Sequence, residues 1–67
     1  MTKQVEKALR HVRLHYPNVT TVVFNKDLRW QYFTDEFESP KFGDEIDVTI
    51  LEEAIDSVDE LPAVFQI

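Results

Sequence analysis

Residues 18–35 read NVTTVVFNKDLRWQYFTD, and this stretch decides the fold. Two runs rich in β-branched and aromatic residues, 19–24 and 28–34, flank residues 25–27, which suit a short hairpin loop. Successive side chains point to opposite faces of a strand, so each run divides into two sets. The more apolar set, expected in the core, comprises Val22, Phe24, Leu28, Trp30 and Tyr32. The other set comprises Thr21, Val23, Arg29, Gln31 and Phe33.

An amphipathic helix is predicted before the hairpin, over residues 2–16. Its apolar positions recur at helical spacing and form one stripe: Val5, Ala8, Leu9, Val12 and Tyr16. Thr2 is expected to cap the helix, and Pro17 to end it, because the residue before a proline avoids helical dihedrals. The opposite face carries Lys3, Lys7, Arg10 and Leu14.

A second helix is predicted from the run TILE at residues 49–52, which fits a capping box with Thr49 as the N-cap. Pro62 is expected to stop this helix, and residues 63–67 are predicted to form a last strand. The buried stripe is expected to comprise Ile50, Leu51, Ala54, Ile55, Val58 and Leu61. The acidic face comprises Glu52, Glu53, Asp56, Asp59 and Glu60.

The segment at residues 35–46, DEFESPKFGDEI, is predicted to be a loop. It is acidic, it holds Pro40 and the only glycine, Gly43, and Phe37 and Phe42 are expected to anchor it. Long loops without structure of their own are usually functional or mobile. This loop is therefore a candidate binding segment.

The predicted order is α-β-β-α-β in a single small α+β domain over residues 1–67. The connection from the second strand to the third is a crossover, expected to be right-handed and to leave those two strands parallel. The simplest result is a three-stranded sheet of order 2-1-3 with two helices on one face. The other face is expected to be open, with Val23, Phe33 and Val64 among polar side chains.

The net charge is −6, and the charges are separated along the chain. Residues 1–29 hold six basic and two acidic side chains, whereas residues 30–67 hold one basic and eleven acidic ones. The absence of cysteine excludes disulfides and fits a reducing compartment. The N-terminal stretch is amphipathic rather than signal-like, and no run could span a bilayer. A cytoplasmic protein without membrane contact is therefore expected.

The inventory of side chains argues against an enzyme. Cysteine is absent, Ser39 and Ser57 are the only serines, and no glycine-rich loop could cradle phosphate. His11 and His15 have a spacing that can chelate a metal, but they supply only two ligands. No catalytic residue, metal or cofactor is expected.

A non-catalytic protein-interaction module is the function that the sequence favours, with a protein partner or a homodimer formed through the open sheet face and the acidic loop and helix. The candidate binding residues are Phe33, Phe37, Phe42, Val23, Arg29, Glu52, Glu53, Asp56 and Asp59. One alternative is a nucleic-acid mimic that inhibits a DNA- or RNA-binding protein. A further alternative is nucleic-acid binding by the basic face of the first helix, which the acidic second half of the chain disfavours.

Overall fold

Two helices and four strands make up the described part of the chain, which covers residues 1–26, 30–34, 41–43 and 47–67 of a computed structural model. In chain order these elements are α1 (Lys3–His15), β1 (Thr21–Phe24), β2 (Trp30–Phe33), β3 (Lys41–Phe42), α2 (Val48–Asp56) and β4 (Ala63–Gln66). Neither described helix has the length and apolar character needed to cross a membrane.

The strands form one sheet of order β3-β2-β1-β4, and every neighbouring pair is antiparallel. β1 lies between β2 and β4, so those two outer strands run parallel to each other. The predicted α+β fold, its α-β-β-α-β order and the 2-1-3 arrangement of the three long strands are therefore confirmed. The register aligns Thr21 with Phe33 on one side and with Gln66 on the other.

One part of the predicted loop at residues 35–46 is a strand. β3 adds a fourth strand at the edge of the sheet, with Lys41 opposite Tyr32 and Phe42 opposite Gln31. A two-residue strand has no alternating pattern of its own, since pairing with its neighbour defines it. The rest of that predicted loop, residues 35–40 and 44–46, lies outside the described residues.

α1 forms as predicted, with each end one residue shorter. The Thr2 hydroxyl accepts a hydrogen bond from the Val5 amide at 3.1 Å, which satisfies a free donor of the first turn. Tyr16 is the C-cap, and its amide still donates to the Val12 carbonyl at 2.8 Å. The predicted apolar stripe faces inward: Val5, Ala8, Leu9 and Val12 are buried, and Tyr16 is half-buried.

α2 differs from the prediction at both ends. Its N-cap is Asp47 rather than Thr49, because the Asp47 carboxylate accepts from the Thr49 amide at 2.7 Å and starts the helix two residues earlier. The prediction of a capping box with Thr49 as the N-cap was therefore wrong. The expected extension to Leu61 was also wrong: the helix ends at Asp56, and Ser57, expected inside the helix, is its C-cap.

The core lies between the two helices and one face of the sheet. Its fully buried side chains include Phe24, Val5, Val12 and Val22, and Trp30 is only 2% exposed. Of the set predicted to face inward, Val22, Phe24 and Trp30 are buried, Tyr32 is half-buried against this core, and Leu28 lies outside the described residues. Alternation along the two strands therefore predicted the buried face correctly where it can be compared.

Candidate interaction surface

The face of the sheet turned away from the helices is defined by the strand register. Thr21 lies between Phe33 and Gln66 in one cross-strand row, and Val23 lies between Gln31 and Val64 in the next. Asn25 follows β1 on the same side, since its side-chain amide donates to the Gln31 side-chain oxygen at 3.4 Å. We call this set the open face: Thr21, Val23, Asn25, Gln31, Phe33, Val64 and Gln66.

The described residues of the open face, seven in all, include no charged one. This contrasts with the chain as a whole, in which 30% of the residues are charged. The apolar members are Val64, which is 62% exposed, and Val23 and Phe33, which are half-buried. The remaining four are uncharged hydrogen-bonding side chains. The open face is thus a mixed apolar and neutral polar surface on a hydrogen-bonded sheet.

The residues predicted from the sequence to bind a partner fall in different places. Val23 and Phe33 lie on the open face, as expected from alternation. Arg29, Phe37 and the side chain of Phe42 lie outside the part of the chain that the structure describes. The backbone of Phe42 pairs with Gln31, which extends the sheet by one strand beyond β2.

The acidic residues of the predicted surface lie on the other side of the molecule. Glu52, Glu53 and Asp56 are exposed on α2, and Asp59 is exposed after the helix ends. α2 packs on the covered face of the sheet, so these carboxylates belong to the helix layer. The structure therefore divides the predicted binding surface into two parts, the open face and an acidic surface. Because they lie on opposite sides of the sheet, one flat interface cannot include both.

α1 contributes a basic exposed side. Lys3, Lys7, Arg10 and Arg13 are all exposed, and Leu14, in the same helix, is 75% exposed. His11 is half-buried and His15 is exposed. Across the described residues, no group of three or more histidine, cysteine, aspartate or glutamate side chains is placed to hold a metal ion.

A groove beside β4 was not anticipated from the sequence. It has a volume of about 340 Å³ and is lined by Met1, Glu6, Leu9, Arg10, Arg13, Gln66 and Ile67. It joins residues 1–13 to residues 66 and 67, which are more than fifty positions further along the chain, so no local pattern indicates it. The one signal in the sequence is the run at residues 61–67, LPAVFQI, which contains no charged residue.

Comparison with protein-family models, with curated proteins and with solved structures gives no match for this chain.

Proposed function

We propose that this protein is a non-catalytic interaction module that binds another protein through its open face. The observation that carries the proposal is that none of the seven described residues of that face is charged, in a strongly charged chain. The cores of protein–protein interfaces are depleted of charged residues, because burying an unpaired charge costs free energy. A surface kept uncharged while it faces water fits that requirement.

The arrangement of the open face also suits a protein partner. Its side chains stand on paired strands, so the backbone there has little conformational entropy left to lose on binding. The accessible surface of the molecule is 4601 Å². A standard interface buries about 800 Å² on each partner, which is a large share of so small a molecule.

Composition supports a compartment. We propose that the protein acts in the cytoplasm, since it lacks cysteine in all 67 residues, which fits a reducing environment.

The test is capture of a partner with the purified protein and two matched variants. We expect Phe33→Ala, which truncates the open face, to retain its melting temperature within a few degrees and to capture at least tenfold less partner. Tenfold corresponds to about 1.4 kcal/mol of binding free energy, which is within the range for truncating an interface aromatic. Leu14→Ala is the matched control, because it removes an exposed leucine from α1 on the helix side.

Two results would count against the open face. If Phe33→Ala captures as much partner as the parent while Leu14→Ala does not, the interface lies on the helix side. If Phe33→Ala unfolds, Phe33 belongs to the core. Washing at high salt adds a further criterion, because an interface without charges is expected to retain its partner.

A second candidate function, a mimic of nucleic acid that occupies the groove of a basic protein, is supported by a different observation. Residues 47–67 contain six acidic side chains and no basic one, and all six are exposed. Such a surface attracts basic partners over long range and loses them as salt rises.

The two functions are separated by neutralising the acidic surface. Glu52→Gln, Glu53→Gln, Asp56→Asn and Asp59→Asn, combined in one variant, should abolish binding by a mimic and leave binding through the open face unchanged. Competition between DNA and this protein for the captured partner is the second readout. Nucleic acid that copurifies with the protein itself would instead favour binding through α1.

A further inference from the structure

The outer edge of β4 presents free backbone hydrogen-bonding groups. The Ile67 amide donates to the Thr20 carbonyl at 2.9 Å, so Ile67 faces β1. In an antiparallel strand, alternate residues direct their amide and carbonyl to opposite sides. Gln66 and Val64 therefore direct theirs away from β1, and among the described residues no strand pairs with that side.

This edge lacks the features that usually protect an edge strand from pairing. Charged side chains, an internal proline or a bulge are the common devices. β4 and Ile67 contain no charge and no proline, and the register with β1 is continuous. Of the five exposed large apolar side chains in the described part of the chain, three also lie here: Met1 at 72%, Val64 at 62% and Ile67 at 41%.

The groove beside this edge holds side chains of both charges. α1 lines it with Glu6, Leu9, Arg10 and Arg13, at the helical spacing of one stripe. A two-fold axis that makes two such stripes antiparallel, centred between positions 9 and 10, places Glu6 of one protomer against Arg13 of its partner, and Arg13 against Glu6. Within one chain these two residues are about 10 Å apart along the helix axis, so Glu6 and Arg13 pair with each other only across the axis.

We propose that a second copy of this chain pairs edge to edge along β4, with the two strands antiparallel. The outward groups of Val64 and Gln66 set the register: Val64 of each protomer faces Gln66 of its partner, and Phe65 faces Phe65. The two sheets join into one of eight strands, counting the described strands, and the two open faces become continuous. This interface differs from the open face, so the proposal stands independently of the proposed function.

The test measures molecular mass by sedimentation equilibrium over a wide concentration range. The parent is expected to approach twice its chain mass of 7.9 kDa. Val64→Pro removes an outward amide without removing a bond to β1, because proline is tolerated at such edge positions. It is expected to be a folded monomer. Val23→Lys, which charges the centre of the open face, is expected to stay a dimer.

A charge exchange tests the groove. Glu6→Arg is expected to weaken dimerisation about tenfold, since two symmetry-related attractions become repulsions. The same is expected of Arg13→Glu. Combining Glu6→Arg with Arg13→Glu should restore dimerisation, because opposite charges again meet across the axis. If Val64→Pro fails to fold, the charge variants still test the dimer, since all three change exposed side chains.

Three outcomes would overturn the proposal. One is a parent protein that remains monomeric at every concentration; in that case an extended segment of another protein is the remaining occupant for the edge. A second is a dimer that Val23→Lys dissociates and Val64→Pro does not, which would place the interface on the open face. The third is a double charge variant that dimerises no more tightly than either single charge variant.

Discussion

At the scale of single residues, Gly43 and Trp30 show why the one glycine of this chain stands where it does. The Gly43 amide donates to the Trp30 carbonyl at 3.3 Å, and a Cβ atom at Gly43 would overlap the carbons of the Trp30 indole ring. Gly43 does not have a positive φ, so the backbone conformation itself would accept alanine. The ring, rather than the backbone, requires glycine.

We therefore expect Gly43→Ala to destabilise the protein by about 1–3 kcal/mol, the usual cost of overpacking a core. The measurement is urea unfolding followed by Trp30 fluorescence or circular dichroism. In a Trp30→Phe background, the same substitution should cost clearly less, because the atoms that collide are absent from the smaller ring. An equal cost in both backgrounds would show that the overlap with the indole is not the cause.

Trp30 also has a polar atom without a partner. Its indole N–H is buried and donates to no hydrogen-bond acceptor among the described residues. The ring is held by apolar and aromatic contacts instead: Tyr16 packs edge-on at 5.5 Å and Tyr32 packs at 5.5 Å between ring centroids. Burial of the large ring outweighs the loss of one hydrogen bond, since aromatic side chains bury the most apolar area.

At the scale of elements, a chain of hydroxyl groups joins the start of α1 to the end of α2. The Ser57 hydroxyl donates to the Ala54 carbonyl at 2.7 Å, and the Thr2 and Ser57 hydroxyl oxygens are 2.6 Å apart. Since the Ser57 proton is used on Ala54, Thr2 is the donor to Ser57. Thr2 in turn accepts from Val5. Each hydroxyl therefore both donates and accepts, and the two caps support each other.

A double-mutant cycle measures this link. Thr2→Ala is expected to cost about 1 kcal/mol as the loss of an N-cap, and Ser57→Ala should cost less once Thr2 has been replaced. We expect a coupling free energy of about 0.5–1.5 kcal/mol, the net value of one hydrogen bond. Thr49→Ala is the control, because Thr49 is exposed and lies about 12 Å from Ser57 along α2. Coupling as large with Thr49 as with Thr2 would contradict the link.

At the scale of the whole molecule, the fold separates three surfaces that the sequence interleaves. The open face has no charged side chain among its described residues, α1 presents basic side chains, and α2 with the turn after it presents acidic ones. Both helices cover the same face of the sheet, so the two charged surfaces share one side of the molecule and the open face has the other. Binding through the open face and binding through the acidic surface are consequently separable by mutation, which is why the variants proposed above discriminate between them.

The whole molecule also relates the two proposed interfaces. Edge pairing along β4 leaves both open faces exposed and places them in one continuous sheet, so a dimer could still bind a partner there. Phe65, which would face its counterpart across the two-fold axis, already packs on Phe24 at 5.7 Å between ring centroids. The dimer contact would therefore extend the existing core rather than create a separate one.

Local patterns in the sequence by themselves determined the two long strands of the hairpin, the helix α1 and the side of the sheet on which each strand residue lies. Period-two alternation in residues 19–34 identified the strands and the buried side of Val22, Phe24 and Trp30, because each side chain's direction follows from the pleat alone. Helical spacing and the Thr2 cap located α1 to within one residue at each end. The placement of Val23 and Phe33 on the open face followed from the same alternation.

Contacts in the folded chain decided the features that local patterns missed, namely β3, the two ends of α2 and the groove beside β4. β3 exists only because Lys41–Phe42 lies against β2, and α2 ends at Asp56, where the Ser57 hydroxyl bonds back to Ala54 and meets Thr2 from the other helix. Asp47 and Thr49 are both good caps by type, so residue preference alone could not choose between them. The groove beside β4 joins residues from both ends of the chain. Sequence periodicity reports which way a side chain points, whereas only the folded chain determines what it meets.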